Sequence, residues 1–92
     1  MSSKEPWDDE ALRRFRTAAD TGAFGAPMSL CVMYANGFGT EIDPVVAYKW
    51  ARIADNNGNG DAAQWRTTLQ RQLTAEEIKT AEELAAAWKP TN

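Results

Sequence analysis

The stretch from Ala26 to Gly58, APMSLCVMYANGFGTEIDPVVAYKWARIADNNG, constrains this chain more than any other. Ala26, Leu30, Met33 and Tyr34 fall at the i, i+4, i+7, i+8 spacing of one helix face, and Ala47, Trp50, Ala51 and Ala54 form a second apolar stripe at helical spacing. Between the stripes lies a turn. Gly37 and Gly39 permit the positive φ at which a helix can end. Asp43 can cap the next helix, and Pro44 suits a first turn that needs no backbone donor. The stretch predicts helix, turn, helix.

The hairpin belongs to a longer pattern. Ala18 and Ala54, Gly22 and Gly58, and Ala26 and Ala62 each lie 36 residues apart, within the range of helix-pair repeats. Leu12, Phe15, Ala18 and Ala19 then make the stripe of a first helix that ends at Gly22, the second half of an incomplete repeat. Asp8, Asp9 and Glu10 crowd the first turn of that helix, where negative charge suits the helix dipole. Past Ala62 the match loosens. Leu69 keeps the register of Met33, but Arg66 replaces Leu30 and Gln70 replaces Tyr34, as in a terminal, capping repeat.

The helix after Ala62 has a face of Ala62, Trp65 or Arg66, Leu69 and Leu73. Thr74-Ala75-Glu76-Glu77 then reads as a capping box that starts a last helix near Ala75. Ile78, Ala81, Leu84, Ala85 and Trp88 form its inner face, Glu76, Lys79, Glu82 and Glu83 are left mainly to solvent, and Pro90 stops it. Five helices are predicted near 8–21, 26–36, 44–57, 60–72 and 75–88. Residues 1–7 are expected to form a flexible tail and residues 8–90 a single domain, since 92 residues leave no room for a second.

The residues Ala26, Leu30, Met33-Tyr34, Gly37-x-Gly39, Asp43, Ala47, Trp50, Ala54 and Gly58 resemble a Sel-one-like repeat, a relative of the tetratricopeptide repeat. Cys31 departs from that family's usual glycine after the leucine but keeps a small residue there. Arg66-Thr-Thr-Leu69-x-x-x-Leu73-Thr74, leading into Ile78, Ala81, Leu84, Ala85 and Trp88, resembles the way bacterial members close their last repeat. The resemblance covers about Ala18 to Trp88. It implies an all-α fold, a short α-α superhelix (solenoid) of about five helices in which two helix pairs follow one N-terminal helix. It also implies protein-protein scaffolding.

Composition limits the chemistry. The chain has no His, so the usual general base and the commonest metal ligand are both missing. Cys31 lies next to a core stripe, where a thiol is a small buried hydrophobe, and no nucleophile elbow surrounds any of Ser2, Ser3 or Ser29. Gly58-Asn59-Gly60 lacks the Lys and the preceding strand of a phosphate loop and is read as a turn. No enzyme activity, cofactor or metal is expected. A net charge of −3 and a pI near 4.8 argue against nucleic acid as a partner. No apolar run is long enough to span a bilayer, the stretch MSSKEPWDDEALRR does not read as a secretory signal, and a single Cys suits a reducing compartment, although a removed signal peptide would leave the same pattern; the chain is expected in the cytoplasm.

Another protein is therefore the expected partner. In the family the chain resembles, the first helices of the repeats face inward on a curved stack, which here are 26–36 and 60–72. Off their core stripes stand Met28, Ser29, Val32 and Asn36 on the first, and Gln64, Thr67, Thr68, Gln70 and Arg71 on the second. Trp50, Tyr34 and Trp88 are assigned to the core, with Trp65 on a flank. Phe24 and Phe38 lie in turns, where an aromatic can plug the hairpin base or stand out as an anchor. Arg13, Arg14 and Arg16 are read as a solvated face, with a partner-binding patch as the other reading. The alternative function is a stand-alone inhibitor or immunity-type protein, bacterial or phage-borne, whose acidity suits a basic target enzyme.

Overall fold

The computed structural model describes residues 8–90, and among them the chain is all-α with no strand. Its five helices are α1 (Asp9–Asp20), α2 (Ala26–Asn36), α3 (Pro44–Asn56), α4 (Ala62–Gln70) and α5 (Ala75–Ala87). The tail expected over residues 1–7 lies outside the described residues.

The helix ends follow local chemistry. Asp8 stands just outside α1 and its carboxylate accepts the Ala11 N–H at 3.0 Å, so the acidic run supplies a cap as well as dipole-favoured charge. α2 ends at Gly37 in the left-handed conformation, with the Gly37 and Phe38 N–H groups both donating to the Met33 carbonyl. Asp43 accepts the Val46 N–H at 3.2 Å to open α3, and Pro44 occupies its first position. The capping box is complete: Thr74 Oγ1 accepts the Glu77 N–H at 3.1 Å, and a Glu77 carboxylate oxygen accepts the Thr74 N–H at 2.9 Å. Thr74→Ala should cost about 0.5 to 2 kcal/mol and loosen α5 before the rest. Hydrogen exchange checks this, and unchanged protection from Ala75 to Ala87 would refute it.

α4 is two residues shorter at each end than the sequence predicts. At its start, Asn59 holds a turn, its side chain accepting the Asp61 N–H and its carbonyl the Ala62 N–H. At its end, Arg71, Gln72 and Leu73 donate to carbonyls three residues back, which tightens the last turn out of α-helical geometry.

α3 is the centre of the packing. It lies closely against α2, α4 and α5, while α1 packs on α2. Ala47, Ala51 and Ala54 of α3 are fully buried, small enough to let neighbouring helices approach, and Leu30, Cys31 and Met33 of α2 fill the facing space. Burying a side chain such as Leu30 contributes roughly 1.5 to 3 kcal/mol. Trp50 is buried and meets Trp88 edge to face at 5.3 Å, joining α3 to the end of α5. Tyr34 is half-buried beside this core. The α2–α3 turn also reaches α1, because Gly39 sits against the backbone of Asp8 and Asp9.

Candidate functional site

The surface residues expected on α2 divide by burial. Met28 and Val32 are half-buried, and Met28 packs against the core cluster, as a residue covering a neighbouring helix does. Ser29 Oγ donates to the Gly25 carbonyl at 3.3 Å, and exposed Asn36 donates from Nδ2 to the Val32 carbonyl at 2.9 Å. Those two polar groups are turned back onto their own helix.

The α4 set is more open. Gln64, Thr67, Thr68 and Arg71 are exposed, while Ala62 and Leu69 on the opposite side are buried. Thr67 Oγ1 donates to the Ala63 carbonyl at 3.1 Å. Gln64, half-buried Trp65 and Thr68 line a hollow of ≈310 Å³. Trp65 is thus both packed against the core cluster and accessible from this hollow. α2 and α4 are joined chiefly through α3, since they are not among the closely packed helix pairs.

Tyr48, which no sequence stripe singled out, is fully buried and is the largest of the fully buried side chains. Its hydroxyl donates to Glu82 at 2.9 Å and accepts from Gln70 Nε2 at 3.1 Å and from Arg66 at 3.4 Å. Arg66 also pairs with Asp55 and lies 3.7 Å from Glu82, which Arg52 engages at 3.2 Å. Glu82 is therefore half-buried and bonded from three residues, not left to solvent as its place on α5 suggested. The reason is tertiary: it faces α3 and α4 where they cross.

This network ties α3, α4 and α5 together with two guanidinium groups balanced by two carboxylates. Burial opposes the charge on Arg66, but hydrogen bonds and charge interactions with Tyr48 and Asp55 outweigh it and raise its pKa. A group held this firmly protonated is a structural cation, not a proton shuttle. The sign in the sequence was that Arg66 and Gln70 occupy the register of Leu30 and Tyr34, apolar and aromatic positions, a replacement that reads there as the mark of a terminal, capping repeat.

Cys31 is fully buried, and burial pushes its thiol pKa up to about 12. Thiolate is the reactive form, so Ellman's reagent at pH 8 should react far more slowly with the native chain than with the chain in guanidinium. Equal rates would show that the thiol is accessible. Because the unfolded thiol ionises near 9.0, the stability tied to this group is intact below that pH and drains away as pH rises from 9.0 towards 12.

Phe24 is 58% exposed, so this turn aromatic stands out instead of plugging the hairpin. Arg13 and Arg14 are exposed and pair along α1 with Asp9 and Glu10. Such exposed pairs contribute little stability. Among the described residues no group of three His, Cys, Asp or Glu side chains is arranged to hold a metal, and no helix is long and apolar enough to cross a membrane. No protein-family model matches the chain, and no curated protein matches it either.

Proposed function

We propose that this chain is a protein-protein interaction module or adaptor of the Sel-one-like repeat type, working in the cytoplasm and presenting the outer face of α4 to another protein. One observation carries the reading. The contacts that fix α4 lie on its inner side, through Ala62, Leu69 and the Arg66 network, while Gln64, Thr67, Thr68 and Arg71 stand exposed and Gln64 and Thr68 line the hollow at Trp65. A rigid helix with a free polar face beside a partly accessible Trp is the usual make-up of an interface anchor with its rim. The half-buried Met28 and Val32 are scaffold in this reading, with Asn36 at the margin.

The test is affinity capture from the source lysate with the native chain and with a Thr68→Glu, Arg71→Glu double variant. Both positions are exposed, so circular dichroism and Tm should be unchanged. Loss of central contacts should weaken the partner by 2 kcal/mol or more, roughly thirtyfold in affinity. A well-folded variant that retains the same partner would overturn the α4 face.

A further inference from the structure

The chain contains three Asn-Gly dipeptides: Asn36-Gly37 at the end of α2, and Asn57-Gly58 and Asn59-Gly60 between α3 and α4. Asparagine is a thermolabile residue. A following glycine, with no side chain, leaves its backbone nitrogen unhindered, and that nitrogen can attack the asparagine side-chain carbonyl carbon. Ammonia leaves and a cyclic imide forms, which water opens to aspartate or, through the other carbonyl, to isoaspartate.

Two of the three nitrogens are committed elsewhere. The Gly37 N–H donates to the Met33 carbonyl at 2.8 Å, and the Asn36 side chain is turned back along its helix, donating to the Val32 carbonyl at 2.9 Å. The Gly58 N–H donates to the Asp55 carbonyl at 3.0 Å. Each of these bonds must open before its nitrogen can attack. The Gly60 N–H has no acceptor among the described residues.

Asn59 is also held in place for the reaction. Its Oδ1 accepts the Asp61 N–H at 3.1 Å, and the ring closed by that bond contains the Gly60 nitrogen, so the side chain is folded over the peptide bond it must meet. The same N–H points at the oxygen that becomes negative when the nitrogen adds, as an oxyanion-hole donor does. The Asn59 backbone carbonyl accepts the Ala62 N–H at 3.1 Å, which favours ionisation of the Gly60 amide because the resulting charge is shared with that oxygen. Asn59 is half-buried and Gly60 exposed, so water has access to the ring.

We infer that Asn59 is the site at which this chain modifies itself. A bond forms between the Gly60 nitrogen and the Asn59 side-chain carbonyl carbon, the C–NH2 bond breaks, the Gly60 proton leaves with the ammonia, and water adds across the imide. Isoaspartate, one of the two products, routes the backbone through the former side chain and turns the carbonyl that holds the Ala62 N–H into a branching carboxylate, which loosens the start of α4. Nothing in this chemistry requires a partner protein, although the product alters the entry to the helix assigned to partner contact.

The test is to hold the purified full chain at mildly alkaline pH, native and in guanidinium, and to follow each asparagine by tryptic mapping and mass spectrometry, with isoaspartyl methyltransferase labelling the isoaspartate. Cleavage after Arg52 and Arg66 releases Asn57 and Asn59 together, and fragment ions distinguish them. In guanidinium the three dipeptides should react at similar rates, whereas in the native chain Asn59 should react several-fold faster than Asn57 or Asn36. Gly60 does not hold a positive φ, and a Cβ there would meet nothing within 4 Å, so Gly60→Ala should fold normally by circular dichroism. That variant should lose most of the reaction at Asn59 and none at the other two. In chains isolated with isoaspartate at position 59, the amide hydrogens of Ala62 and Trp65, bonded to the Asn59 and Asp61 carbonyls, should exchange faster than in unmodified chains. A native rate at Asn59 no higher than at Asn57 or Asn36, a lead as large in guanidinium, or an undiminished rate in Gly60→Ala would overturn the site. Unchanged exchange in the isoaspartyl chain would overturn its effect on α4.

Discussion

Gly39→Ala should be among the most damaging single substitutions in this chain, costing about 2 to 5 kcal/mol and lowering Tm by on the order of 10 to 30 °C. Two effects add. Gly39 has φ 76°, a conformation that strains any residue with a Cβ, and that Cβ would land on the Asp8 carbonyl and within 3.0 Å of the Asp9 nitrogen. Backbone on both sides leaves no flexible side chain to give way, so α1 or the α2–α3 turn must shift. Gly58 is the control. It has φ 90° with no atom within 4 Å of the point where a Cβ would stand, so Gly58→Ala carries the conformational strain alone, about 1 to 3 kcal/mol. Urea denaturation followed by circular dichroism measures both. Equal losses at the two positions would show that the turn does not bear on α1.

The second large effect is expected at Arg66. Arg66→Leu restores the apolar residue that Leu30 provides in the matching position, yet it should destabilise the fold by about 2 to 4 kcal/mol. The substitution strips Asp55 of its partner, leaves Glu82 with Arg52 and Tyr48 only, and removes a donor from the Tyr48 hydroxyl. Removing one member of a half-buried ionic network leaves desolvated charge behind, whereas replacing all of its members by apolar groups need cost little. Denaturant unfolding gives the loss, and hydrogen exchange should show α4 and α5 weakening together. A double-mutant cycle with Glu82→Gln should give a coupling of about 0.5 to 3 kcal/mol. An Arg66→Leu variant as stable as the native chain would show that the network sets geometry without adding stability.

The sequence by itself determined the five helices and the manner in which most of them start and stop. The Asp43-Pro44 entry, the Gly37 exit and the Thr74–Glu77 box each involve groups three or four residues apart, and apolar spacing reports which side of a helix is covered. What only the tertiary structure decided lies between residues far apart in the chain. Tyr48 finds Glu82 34 residues away and Arg66 18 residues away, Gly39 presses on Asp8, and the ends of α1, α3 and α5 enclose a hollow that none of them forms alone. Periodicity marks a face as apolar or polar, but it does not state which polar residue on that face will meet another helix. Glu82 therefore read as a solvent residue and Arg66 as a loosened repeat position, until the angle and distance at which α4 and α5 cross α3 brought their charged groups within reach of one buried hydroxyl.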